Sequence, residues 1–155
     1  MNTTSRRIMA VVATTTFSLT AGAVAAIVGL APLAHAEPDY QQFTSPSGNI
    51  KCEMTVSYKG DPYANCVARH AVFAVLTPEC DSAGSMNPQI GLTQGGRPEV
   101  SCVVASDAPA EFTLHFGQRR SVGAITCDSE EAGVTCTDTG TGHFFRISPQ
   151  SYDLG

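Results

Sequence analysis

VGAITCDSEEAGVTCTDTGTGHFFRI, residues 122–147, decides how the chain is read. A four-residue loop over Glu130–Gly133 sets Ser129 opposite Val134 and Cys127 opposite Cys136. Gly133 then supplies the left-handed conformation that such loops need. Cysteines opposed on a non-hydrogen-bonded pair have Cα atoms within bridging distance. Turn, register and bridge predict one hairpin, with Ile125, Cys127, Val134 and Cys136 on its buried face. Thr137–Gly142 follows as a polar turn, and His143–Ser148 as a last strand before Pro149.

The opening of this stretch has an echo seventy-five residues earlier: Gly48-Asn-Ile-Lys-Cys52 against Gly123-Ala-Ile-Thr-Cys127. A second cysteine follows each, at Cys66 and Cys136. Around the echo, Ile50, Cys52, Met54, Val56 and Tyr58 share one parity and Lys51, Glu53, Thr55 and Ser57 the other, the period of a half-buried strand. Lys59–Pro62 is a turn, because Gly60 tolerates positive φ and Pro62 presets its own. A strand resumes over Tyr63–Val75. Thr77–Gly96 is the least regular part, with one short strand at Ile90 and Leu92 and a hairpin turn over Gln94–Arg97. Glu99–Ala105 places Val100, Cys102 and Val104 on one face, and Ser106–Ala110 breaks the pattern. Phe112, Leu114 and Phe116 then alternate, ahead of a turn at Gln118–Arg120. The chain is expected to be all-β: a small disulfide-stabilised antiparallel sandwich or partly open barrel built from hairpins.

Residues 1–36 read as a signal peptide: Arg6 and Arg7 start it, Ile8–Leu33 carries no charge, and Ala34-His35-Ala36 offers small residues for cleavage before Glu37. Ser5-Arg6-Arg7 has a twin-arginine flavour. Disulfides cannot form in a reducing cytosol before export, which favours the general secretory route. If uncleaved, the segment would be a membrane anchor; that is the one membrane association the sequence suggests. Residues 37–42 form an expected flexible leader, and 43–155 a single domain. Beyond residue 36 there are seven basic against fourteen acidic side chains, a formal charge of −7. An acidic chain without a basic cluster argues against nucleic acid as partner.

Cys52, Cys66, Cys80, Cys102, Cys127 and Cys136 all lie beyond the signal segment, and an even count there reads as a disulfide framework. Six cysteines permit fifteen pairings. The sequential one is preferred: Cys127–Cys136 from hairpin register, Cys52–Cys66 from the echo, and Cys80–Cys102 by elimination.

Phe43-x-Ser-Pro-Ser-Gly-Asn-Ile-x-Cys52, Leu114-x-Phe-Gly117, Val122-Gly-Ala-Ile-Thr-Cys127, Gly133-Val-Thr-Cys136 and Gly142-His-x-Phe-x-Ile-Ser148 resemble a family of small secreted actinobacterial proteins with paired cysteines. The resemblance spans most of Phe43–Tyr152 and is weakest over Tyr58–Gly96. It implies a secreted β domain. It brings no activity and no catalytic residues.

The residues themselves offer no catalytic, cofactor or metal set. His70, His115 and His143 stand outside any HExxH or CxxC spacing, and His115 has the solvent-facing parity. An even cysteine count argues against a free thiol nucleophile. His143, after a run of small polar residues, and the pair Arg119-Arg120, read as a hairpin tip, are the candidate surface site. The leading expectation is a non-enzymatic domain that binds an unknown envelope or extracellular partner. The alternatives are a small hydrolase pairing His143 with Asp138 or Asp128, and a metal- or redox-active cysteine protein.

Overall fold

The computed structural model describes residues 39–73 and 86–155. The expected signal peptide and Cys80, with its predicted bridge to Cys102, fall outside them. The described chain holds no helix and runs through β1 (Tyr40–Thr44), β2 (Ile50–Val56), β3 (Pro62–Ala68), β4 (Met86–Thr93), β5 (Glu99–Val104), β6 (Phe112–Thr113), β7 (Arg119–Val122), β8 (Ile125–Glu130), β9 (Gly133–Asp138), β10 (Phe144–Ile147) and β11 (Tyr152–Leu154). One sheet has six strands in the order β5-β4-β3-β2-β1-β6, and the other has five in the order β11-β10-β9-β8-β7. Each therefore contains a five-strand meander, β1–β5 or β7–β11, laid down in the same sense. The Gly-x-Ile-x-Cys echo marks equivalent points: a glycine turn opening β2 in one sheet and β8 in the other, with φ +72° at Gly48 and +56° at Gly123.

Period-two side chains account for the packing. On β2, Ile50, Cys52 and Met54 are buried, and on β3 Ala64, Cys66 and Ala68 alternate with half-buried neighbours. On the other sheet Ile125, Cys127, Val134, Cys136, Phe145 and Ile147 turn the same way, and both sets belong to one core. β2 packs on β7, β3 on β8, and β4 on β9 and β10. Two sheets packed on one shared apolar core make the expected disulfide-stabilised sandwich, not a closed barrel.

Both described bridges join directly opposed residues. Cys52 faces Cys66 with Cα atoms 4.1 Å apart, and Cys127 faces Cys136 at 4.0 Å. Each staples the hairpin at the middle of its sheet. The bridges also meet across the core, with Cys66 Sγ 3.8 Å from Cys136 Sγ. Beside them the hydroxyl of Ser129 is buried with no hydrogen-bond partner among the described residues, which costs about 1–3 kcal/mol.

Several expectations need correction. The hairpin loop has two residues, Glu131-Ala132, because Glu130 already pairs with Gly133. Gly133 sits at φ +141°, outside the left-handed helical well. It is glycine because a side chain there would run into the Ile147 carbonyl of β10. Part of the expected leader is strand: Tyr40–Gln42 belong to β1, where Gln41 is buried and its amide donates to Ser121 O at 3.0 Å, tying the two sheets at one edge. The alternation through Phe116 yields only the two residues of β6, since Leu114 turns into the core and Phe116 out to solvent. β6 runs parallel to β1, the one parallel pairing among the described strands. Arg119 and Arg120 are not a turn. They open β7, paired with Asp128 and Cys127.

Removing one central staple by Cys127→Ser with Cys136→Ser should lower the unfolding free energy by about 2–4 kcal/mol. Chemical denaturation followed by far-ultraviolet circular dichroism measures it, and an unchanged midpoint would show that the bridge is dispensable.

Candidate binding groove beneath a strap

β5 and β6 lie at opposite edges of the same six-stranded sheet, so the chain between them must cross it. Five inter-strand spacings come to roughly 24 Å. Eight steps of extended chain, Val104 to Phe112, reach at most about 28 Å. Little slack remains. Residues 105–111 accordingly run as an irregular strap over the sheet's outer face. Lys51 Nζ donates to Ala108 O at 2.7 Å, Arg69 Nη2 donates to Ser106 O, and the Arg69 guanidinium lies 3.7 Å from the exposed Asp107 carboxylate. The far end is fixed where Glu111 N donates to Gln42 O at 3.0 Å and Leu114 N to Thr44 O at 2.9 Å.

Beneath and beside the strap lies a groove of about 290 Å³. The outward parity of β2, β3 and β4 supplies its floor: Lys51 and Glu53, Asn65 and Val67, Gln89. Val103, Val104 and Ala105 form the wall where β5 passes into the strap. Lys51 is only 9% exposed, the single lysine among the buried residues. Glu53 is approached by the Tyr63 hydroxyl at 3.4 Å; partial burial first, and then the Glu53 charge and hydrogen bond, raise the Tyr63 pKa. Asn65 lies over Gly91, where a Cβ would strike its carboxamide oxygen. The amide side chain thus occupies space that glycine alone leaves open.

The residues singled out from sequence are dispersed. Arg119 points outward and makes a two-pronged pair with Asp128, at 2.7 and 3.1 Å. The hydrogen bond, then the carboxylate charge, push its pKa further up; such exposed pairs contribute little. Arg120 points inward on the same strand, its guanidinium 5.1 Å from the Phe112 ring centre, and caps the core edge. His143 precedes β10, separated from β7 by β8 and β9, so the three do not converge. His115 is exposed, as its parity predicts, and His70 is exposed in a turn at φ +55°.

His143 and Asp138 are neighbours with separate duties. Both fasten the β9–β10 loop to the β4–β5 hairpin of the facing sheet. His143 Nδ1 donates to Gly96 O at 2.8 Å. The fully buried Asp138 carboxylate accepts from Gly95 N at 2.7 Å, Gly140 N at 2.9 Å and Thr141 Oγ1 at 3.0 Å. Burial alone would raise the Asp138 pKa, but these donors outweigh it and hold the value below the ordinary one. Asp128, the other proposed carboxylate, is taken by Arg119. Among the described residues no three His, Cys, Asp or Glu side chains converge as metal ligands. No described helix is long and apolar enough to cross a membrane. The bridges fit an oxidising compartment.

Sequence reasoning missed the groove, and it named Asp138 only as a possible partner of His143, not as the buried anchor of the β9–β10 loop. Ser106–Ala110 registers only as a break in pattern, and nothing local shows that its two ends lie on opposite sheet edges. Comparison with protein-family models, curated proteins and solved structures returns no match.

A folded-state pKa below the unfolded one makes the Asp138 contribution fully present above about pH 4 and lost as pH falls through the folded value. Asp138→Asn should therefore cost roughly 2 kcal/mol at neutral pH and flatten the acid limb of the stability curve below pH 4. Urea titrations at stepped pH measure both; an unaltered acid limb would show that Asp138 does not carry it.

Proposed function

We propose that this is an exported, non-enzymatic binding domain whose ligand site is the strapped groove on the six-stranded sheet. The observation that carries it is the groove with Lys51 buried at its floor: a covered concavity with a charged side chain and two carboxamides, on a rigid stapled sheet. A small number of placed polar groups in a preformed cleft is the usual composition of a ligand site. The features of residues 1–36, the disulfides and the resemblance to small secreted actinobacterial proteins all support work outside the cytoplasm, in the envelope or the medium. The hydrolase alternative has less behind it, because the two carboxylates it would pair with His143, Asp138 and Asp128, are committed to Gly95, Gly140, Thr141 and Arg119. The redox alternative would need free thiols, and Cys52, Cys66, Cys127 and Cys136 are bridged.

Amide chemical shifts of the 15N-labelled protein, titrated with a panel of short peptides, sugars and carboxylic acids, test the proposal. Saturable changes are expected at Lys51, Asn65, Val67, Gln89 and Val103, and Asn65→Trp should fill the groove and abolish them without changing the melting temperature. Changes confined to the His143 loop, or ester, glycoside or peptide turnover that disappears in His143→Ala, would contradict it.

A further inference from the structure

We infer that the groove takes the C-terminal end of an extended peptide, with Lys51 holding the terminal carboxylate and Arg69 flanking it; this rests on the groove being the binding site. A buried ammonium is costly unless paired. Among the described residues, the Ala108 carbonyl is the only partner Lys51 has. An ammonium carries three donors, so two are left at the groove floor with no carboxylate in ion-pair range. Glu53, the one acid lining the groove, is engaged by Tyr63. Arg69 adds a second cation, bound to a strap carbonyl and to an Asp107 side chain that is 99% exposed. That solvated pair is readily exchanged for a better acceptor. On a chain of formal charge −5, this spot balances two cations, Lys51 and Arg69, against two acids already engaged, Glu53 by Tyr63 and Asp107 by Arg69. It favours an anionic group on the ligand.

The rest of the lining selects what carries that group. Asn65 and Gln89 present carboxamides, each donor and acceptor, matching the N–H and C=O of a peptide unit. Val67, Val103, Val104 and Ala105 form an aliphatic wall for one side chain. No aromatic ring among the described residues lines the groove, so a sugar ring lacks the flat face on which it would stack. A space of about 290 Å³ accommodates a terminal residue and the start of the one before it.

Titration of the 15N-labelled protein, expressed from its full coding sequence and oxidised, with N-acetyl-alanyl-valine, its C-terminal amide and glucuronic acid tests this. The free acid should saturate shifts at Lys51, Asn65, Val67 and Gln89. The amide, and the free acid with Lys51→Met, should bind at least about tenfold more weakly, the loss expected for one charge-assisted hydrogen bond. Arg69→Gln, at a partly exposed position, should weaken the acid severalfold and serves as the second variant if Lys51→Met fails to fold. Equal binding of acid and amide at these residues would overturn the carboxylate assignment while leaving the groove a ligand site. Glucuronic acid binding there without the peptide acid would overturn the peptide assignment. No response to any of the three overturns the inference, and the panel with Asn65→Trp decides separately whether the groove binds anything else.

Discussion

Two cystines touching at the centre of the sandwich are the constraint on which the rest depends. Each locks a β-hairpin at a directly opposed pair, and the 3.8 Å approach of Cys66 to Cys136 places one staple against the other. Register is thereby fixed twice: along each sheet by the bridges, and between the sheets by their contact. A one-residue slip in either hairpin would carry its cystine to the solvent face and with it every core side chain of that strand. Phe43, pairing with Cys52, and Phe145, pairing with Cys136, extend the apolar contact to the neighbouring strands. A domain with no tryptophan gains from such a centre, because cystines pack as apolar groups and also limit the unfolded chain.

The functional geometry follows from connectivity. A meander that ends at one sheet edge can reach the facing sheet by turning over that edge. Here the chain first returns across its own outer face to pair β6 with β1, and only then enters the second meander. That detour makes the strap, and the strap converts an ordinary solvent face into a groove with a roof. Lys51 would be an outward, solvated residue on a bare sheet; the roof buries it. The same near-taut span limits how far the strap can rise, so the groove is largely preformed. Preformed sites lose less ordering entropy on binding.

Much of the scaffold was legible. Alternation at Ile50–Val56 and Ile125–Ser129 gave the strands, the Gly-x-Ile-x-Cys echo gave the repeated hairpin, and opposed cysteines gave its register. The error in the Glu130–Gly133 loop was one of closure: Gly133 was assigned to the turn from its residue type, whereas its conformation answers to Ile147 on the next strand. Arg119 and Arg120 misled because adjacent charges suggest a tip, yet adjacent strand residues point to opposite faces, one to Asp128 and one onto Phe112. Asp138 looked like a polar turn residue, and its role depends on Gly95, forty-three positions away. The groove was illegible for the same reason. Its lining comes from β1 to β5 and the strap, segments whose proximity is set by sheet order, and no local pattern encodes sheet order.

Native-state amide hydrogen exchange tests the central claim most directly, because it reports which segments open together. β2, β3, β8 and β9 should exchange as one slowest unit, at the free energy of global unfolding, with the strap over residues 105–111 opening earlier by itself. If β2–β3 and β8–β9 opened at clearly different free energies, the touching cystines would not be the shared centre of the fold.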